Sequence, residues 1–284
     1  MRTELIKAPF SESFGLLQAE WKRIYLGIIK IELVSITLAL IGVLAAAGIL
    51  FGLSWLGVIA TIVLAAAVLM PLILVSAMVR LLSYSLVDSI WSRKKISLGE
   101  KFRENALPVI GFMVVRALIS LVIIGPIVAL MFVFLLGSMA SDSAYFLSIL
   151  LNLVFRIAIW VAAAAIALFT QFAVFELLIS GNGVLDSFGK SYSIVRRNFY
   201  ETFIFSFILA ILGGLITTPF ILLLVIIVIV GLFAGIALSG AAGVAVIALT
   251  LIICFAIMVA MQAALETVTI PTQYKYWSRA RLAR

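Results

Sequence analysis

Residues 199–238 read "FYETFIFSFILAILGGLITTPFILLLVIIVIVGLFAGIAL", with Glu201 as the one charged residue. As a helix rising ~1.5 Å per residue, this run is about 60 Å long, twice the ~30 Å hydrocarbon core of a bilayer. Its middle, "LGGLITTPF", permits two readings. A turn at Gly213–Pro219 would make two spans, whereas a kink at Pro219 would leave one. Two spans would send the basic C-terminus to the outer side, and no Lys or Arg near Gly213–Pro219 anchors such a turn inside. One span, kinked at Pro219, is the better reading.

The rest of the chain reads the same way. It is 65% hydrophobic and 11% charged, with a mean hydropathy of +1.33, against roughly 45–50% apolar and about 25% charged in soluble domains. Six spanning helices are expected, at about 24–51, 55–83, 106–137, 145–178, 199–238 and 241–270. The fold class is an all-α polytopic transmembrane bundle. The opening "MRTELIKAPFSESFGLLQAEWKR" lacks an apolar core followed by a small-residue cleavage site, so no cleaved signal peptide is expected.

The net charge of +8 follows the spans. Lys and Arg cluster at 2–23, 93–103, 190–197 and 275–284, while the connections near 52–54, 137–143 and 238–243 contain none, and only one acid, Asp142. This positive-inside pattern places both termini in the cytoplasm of a cell-membrane protein and gives its basic face an affinity for anionic headgroups. Nucleic acid is not an expected partner; a homo-oligomer or a protein partner is compatible with the sequence.

Amphipathic stretches precede the odd-numbered spans. Phe10, Phe14, Leu17 and Trp21 share the spacing of Phe188, Tyr192, Val195 and Phe199, with Ser13 and Ser191 in register. Leu98, Phe102 and Val109 fit a middle copy, whose apolar stripe Asn105 interrupts. Such stripes beside Lys and Arg describe interfacial helices. The chain therefore reads as a single membrane domain, 1–284, of three units (8–96, 97–183, 184–284), each an interfacial helix plus a helical hairpin.

The stretches "FSESFGLLQAEW", "SLGEKFRENALPVIGF" and "GVLDSFGKSYSIVRRNFYETF" resemble an uncharacterised prokaryotic family of six-helix membrane proteins, a domain of unknown function. More distantly they resemble the membrane domain fused to some bacterial glycerophosphodiester phosphodiesterases. The resemblance implies a multi-pass fold with amphipathic connectors and no known active residues.

No histidine occurs, so a Ser-His dyad, a His-ligated zinc and "HExxH" are all excluded, as are the nucleotide loops "GxxxxGK[ST]" and "GxGxxG". No metal, cofactor or catalytic residue is expected, and the chain is not read as an enzyme. The lone cysteine, Cys254, lies in an apolar run, where an inert thiol is expected.

Ionisable groups in spans are costly and mark candidate sites. Arg156 lies near mid-bilayer, with Asn152 one turn away and Gln171 further along the same span. It either lines a polar cavity or ties helices together. Glu32, Arg80, Arg116, Glu176 and Glu266 fall near the cytoplasmic boundary, where Arg80 is expected to pair with Glu176 or Glu266, closing the bundle or gating a path. Trp21, Trp91, Arg93, Trp277 and Arg279 are expected to anchor the interface; Trp91–Arg93 and Trp277–Arg279 are two copies of Trp-Ser-Arg at span ends. Gly48 and Gly52, like Gly231 and Gly235, form GxxxG pairs that let helices approach, within the chain or between copies. The expected function is a scaffold, lipid-interacting protein or subunit of a larger assembly. The alternative is a transporter or channel, of permease type, with a polar site near Arg156.

Overall fold

The computed structural model describes residues 3–52, 64, 79, 81–93, 98–138, 143–238 and 240–282. Seven helices are defined among them: α1 (Thr3–Gly52), α2 (Leu98–Ser138), α3 (Ser143–Thr170), α4 (Ala173–Leu178), α5 (Val184–Arg197), α6 (Phe199–Ala237) and α7 (Ala241–Leu282). A further helical stretch covers 81–92. Among the described residues five helices are long and apolar enough to cross a membrane. Most of the second expected span lies outside the described residues.

Helix α6 is continuous through Pro219, so the 199–238 run does not turn back on itself. Proline cannot donate the hydrogen bond its position requires. Nearby, Thr217 Oγ1 donates to Gly213 O (2.9 Å) and Thr218 Oγ1 to Gly214 O (2.6 Å), returning both hydroxyls to the backbone of the same helix.

Two of the amphipathic stretches are not separate helices. Residues 10–21 continue into the first span as α1, and 98–109 continue into α2. Nothing between Trp21 and Ile24 stops a helix. The third stretch is separate: α5 ends at Asn198, whose N–H and side-chain Nδ2 both return to Ile194 O (3.1 Å each). Asp186 in the first turn of α5 and Arg196 and Arg197 in the last match the helix dipole.

The chain forms two compact units, 1–104 with 204–284, and 105–203. In the first unit α1 packs on α7, and Ile24, Ile28, Val87, Ile90, Ala263 and Ile270 form a buried cluster. Gly27 lets the stretch 81–92 approach α1, since a Cβ there would meet Leu86. Phe10 lies 5.4 Å from Phe205, which stacks on Tyr276 at 4.1 Å. In the second unit α5 packs on α3 and α4, and Phe188 stacks on Phe112 at 4.8 Å.

Burial concentrates at the basic ends of the helices, whereas mid-span side chains such as Leu121, Val122, Phe132 and Val133 are exposed. In water that distribution would be unstable; in lipid it is expected, because the solvent is itself apolar.

The turn between α6 and α7 depends on glycine. A Cβ on Gly243 would meet the backbone carbonyls of Leu238 and Gly235, which cannot rotate away as a side chain can. Gly214, inside α6, has nothing within 4 Å of such a Cβ. Gly243→Ala is therefore expected to lower stability by about 2 kcal/mol or more, and Gly214→Ala to leave it unchanged or raise it by up to ~1 kcal/mol. Thermal unfolding of both variants in detergent checks the contrast.

Candidate functional site

Three groups of polar and aromatic side chains are defined, one at the basic end of the first unit and two in the second.

In the first unit the two Trp-Ser-Arg stretches behave differently. Trp91-Ser92-Arg93 ends its helix: Arg93 has φ 54, the left-handed conformation that stops helices, and its N–H reaches Ile90 O at 3.4 Å. Trp277-Ser278-Arg279 lies inside α7, which runs on to Leu282. Their surroundings nevertheless come together. Lys275 Nζ lies 3.6 Å from the centroid of the Trp91 ring, and the Tyr274 ring lies 6.0 Å from Trp91 and 5.8 Å from Trp277. The Tyr274 hydroxyl donates to Asp88 Oδ1 at 3.0 Å. Glu12, from the amphipathic start of α1, pairs with Lys275 Nζ at 3.2 Å and with the Arg279 guanidinium. One carboxylate thus holds two cations of the last turns of α7, and a cation–π contact holds one of them to Trp91.

This arrangement separates the five expected anchors. Trp21 is 50% exposed and Arg93 is exposed, whereas Trp277 is 4% exposed and packs within the unit. Trp91 is half-buried, and Arg279 is engaged by Glu12.

In the second unit, α3 stops at Thr170 and α4 begins at Ala173. Ser191 of α5 spans that break. Its hydroxyl donates to Phe169 O (2.7 Å) and accepts the Phe172 N–H (3.3 Å). After α4 the chain turns at Gly181, φ 67. Buried Glu176 accepts from Asn182 Nδ2 at 2.7 Å, and Asn182 Oδ1 accepts from Lys190 Nζ of α5. A neutral amide therefore links the buried carboxylate to an exposed ammonium.

The outward side of α5 carries Lys190, Arg196 and Arg197 beside exposed Tyr192, while Phe188, Ser191, Ile194 and Val195 face inward. Aromatic side chains continue past its end at Phe199, Tyr200 and Phe203, all exposed.

The third group is on α3. Arg156 Nε donates to Asn152 Oδ1 at 2.8 Å, so these two residues do come together. Gln171 lies about 22 Å further along the axis, at the break, and is not part of that pair. Arg156 is exposed, as are Leu153, Ile157, Trp160 and Val161 around it.

The boundary acids are buried, Glu32 to 1%, Glu176 to 1% and Glu266 to 8% exposure. Glu266 accepts from Gln262 Nε2 at 3.1 Å. Arg116 is exposed on α2, and Arg80 lies outside the described residues. Gly231 and Gly235 are buried on α6, where a Cβ would meet Thr250 and Ile247 of α7 respectively. Gly48 and Gly52 lie near the end of α1. Among the described residues no three or more His, Cys, Asp or Glu gather as metal ligands.

Sequence reading missed Glu12, Asp88, Tyr274 and Lys275, whose contacts bridge distant segments and leave no local signal. Asn182 had one: Gly-Asn-Gly is turn chemistry, and asparagine there commonly bonds nearby groups.

Ser191→Ala removes one acceptor and one donor at a buried break. It is expected to cost about 1–2 kcal/mol and to speed hydrogen exchange at the Phe172 amide, whereas Ser193→Ala, at an exposed position of α5, is expected to do neither. Glu12→Gln is expected to cost about 1 kcal/mol, more than Glu20→Gln at the exposed pair with Arg23. Arg279→Glu combined with Glu12→Arg is expected to recover part of the loss, read by thermal unfolding of all three variants.

Comparison with known proteins adds a family and no activity. No curated protein and no solved structure matches the chain. Residues 50–282, which include the helical stretch 81–92, α2 to α6 and all of α7, match a family of unknown function. The chain belongs to that family, DUF7544.

Proposed function

We propose that this protein is a non-catalytic, multi-pass membrane scaffold that engages anionic lipid headgroups at its cytoplasmic, basic side. The observation that carries this reading is α5. Its apolar side is buried against α3 and α4, so its lysine and arginines and the neighbouring tyrosines are turned outward. Aromatic rings favour the headgroup level, and each Lys or Arg near an anionic surface contributes about 1 kcal/mol of attraction.

The threefold organisation and the six spans belong to the same proposal. Phe10 and Phe188, in register in the sequence, each meet a buried phenylalanine of a long helix, Phe205 for the first and Phe112 for the second. Two connectors, one in each unit, thus make similar ring contacts, which supports the reading without putting Phe205 and Phe112 in register.

A transport path is the weaker reading. Of the polar groups that would line it together with Asn152, Arg156 and Gln171, three, Thr217, Thr218 and Gln262, hydrogen-bond within their own helices.

The test uses purified protein reconstituted into nanodiscs of phosphatidylcholine, with or without phosphatidylglycerol. The anionic lipid is expected to raise the unfolding temperature of the native protein. The triple variant Lys190→Gln, Arg196→Gln, Arg197→Gln is expected to lose most of that rise, and high salt to weaken it. Equal unfolding temperatures of the native protein in the two lipids would sink the headgroup reading.

A further inference from the structure

Three cations face outward on α5, and they are not equally available. Lys190 Nζ is held by Asn182 Oδ1, in the polar chain that leads to buried Glu176. Arg197 has a contact of its own, as has Glu201 one turn beyond it. Arg196 is exposed and makes no hydrogen bond or ion pair among the described residues. Its guanidinium presents five N–H donors in a planar fork that fits two oxygens of a phosphate.

The neighbours of Arg196 extend that fork. Tyr192, four residues earlier, and Tyr200, four residues later, are 48% and 76% exposed. Neither hydroxyl makes a hydrogen bond among the described residues. Both rings belong to one aromatic group. Phe169 lies 5.3 Å from Tyr192 and 6.4 Å from Phe199, which in turn lies 5.8 Å from Tyr200 and 6.3 Å from Phe203. Phe199 and Phe203 are exposed and open the apolar run of α6. Unengaged donors therefore stand where the hydrocarbon begins, with exposed rings next to them on its side.

We infer that Arg196, Tyr192 and Tyr200 bind one glycerophospholipid whose phosphodiester headgroup carries no amine. Its phosphate oxygens accept from the guanidinium and the two hydroxyls, and an acyl chain lies along Phe199 and Phe203. This rests on the headgroup reading and narrows it, from a basic surface that attracts anionic lipid to a site for a single molecule. Complementarity runs the length of such a lipid, cation to phosphate at one end and ring to hydrocarbon at the other. A zwitterionic headgroup fits worse, because it brings its own cation beside Arg196. A free phosphate lacks the chain that the two phenylalanines would cover.

The test titrates the full chain, in a nonionic detergent, with dioleoyl phosphatidylglycerol or dioleoyl phosphatidylcholine and counts bound lipids by native mass spectrometry. One phosphatidylglycerol is expected to be retained, about tenfold more tightly than phosphatidylcholine. Arg196→Gln is expected to weaken it about tenfold. Lys190→Gln and Arg197→Gln together are expected to weaken it less, about threefold. Tyr192→Phe with Tyr200→Phe keeps the charge and is expected to weaken it about fivefold, a loss that attraction between charges alone would not produce. The headgroup without its chains, glycerophosphoglycerol, is expected not to displace the lipid. If the native protein prefers phosphatidylglycerol but Arg196→Gln or the double tyrosine variant binds it equally well, this inference falls and the headgroup reading stands. A greater loss from the Lys190 and Arg197 pair, or displacement by glycerophosphoglycerol, overturns it in the same way. No preference of the native protein for phosphatidylglycerol overturns both.

Discussion

Lipid tails are as apolar as leucine, so a side chain gains little hydrophobic energy by leaving them for a neighbouring helix. That constraint decides where this protein is held together. The buried cluster of Ile24, Ile28, Val87, Ile90, Ala263 and Ile270 and the stack of Phe112 on Phe188 both involve residues near the basic helix ends. There water competes for the same surface, and burying it is favourable. The long apolar middles of α2, α3 and α6 then need only be helical and greasy, and their exposed Leu, Val, Ile and Phe meet that requirement.

Polar contacts take over where apolar packing cannot specify a partner. Ser191 decides that α3 breaks after Thr170, because it satisfies a carbonyl and an amide that the break would otherwise leave open. Glu12 fixes the position of the start of α1 on the last turns of α7 through two cations. Asn182 lets buried Glu176 and exposed Lys190 share one polar chain without either crossing apolar surface. These devices sit at helix ends, where the backbone itself has groups to satisfy.

How much of this was legible depended on whether a feature is local. The helical character of the long runs follows from their apolar length, and the continuity of α6 from the lack of a charge to anchor a turn at Gly213–Pro219. The stop at Asn198 was visible only as the end of a stripe. The break at Gln171–Phe172 has no Gly or Pro to mark it, since its cause, Ser191, lies 19 residues beyond Phe172. Tyr274 and Asp88 are 186 positions apart, and no local pattern announces such a contact. For Arg156 a neighbour, Asn152, is legible from the one-turn spacing, but not facing. In an all-apolar helix a lone arginine interrupts the pattern without showing which way the helix is turned. The exposed side chains around it supply that.

The length of α7 has a mechanical consequence. At ~1.5 Å per residue its 42 residues make a rod about 63 Å long, gripped at one end by Glu12 and by the ring contacts of Tyr274 and Tyr276. Helices of this kind answer changes in bilayer thickness by tilting. With the gripped end as fulcrum, a tilt change of about 10° sweeps the opposite end through roughly 11 Å. Gly231 and Gly235, packed against Thr250 and Ile247 near that far end, would carry α6 along with it. A small strain at the gripped, basic end and a large displacement at the far end are thus two ends of one lever.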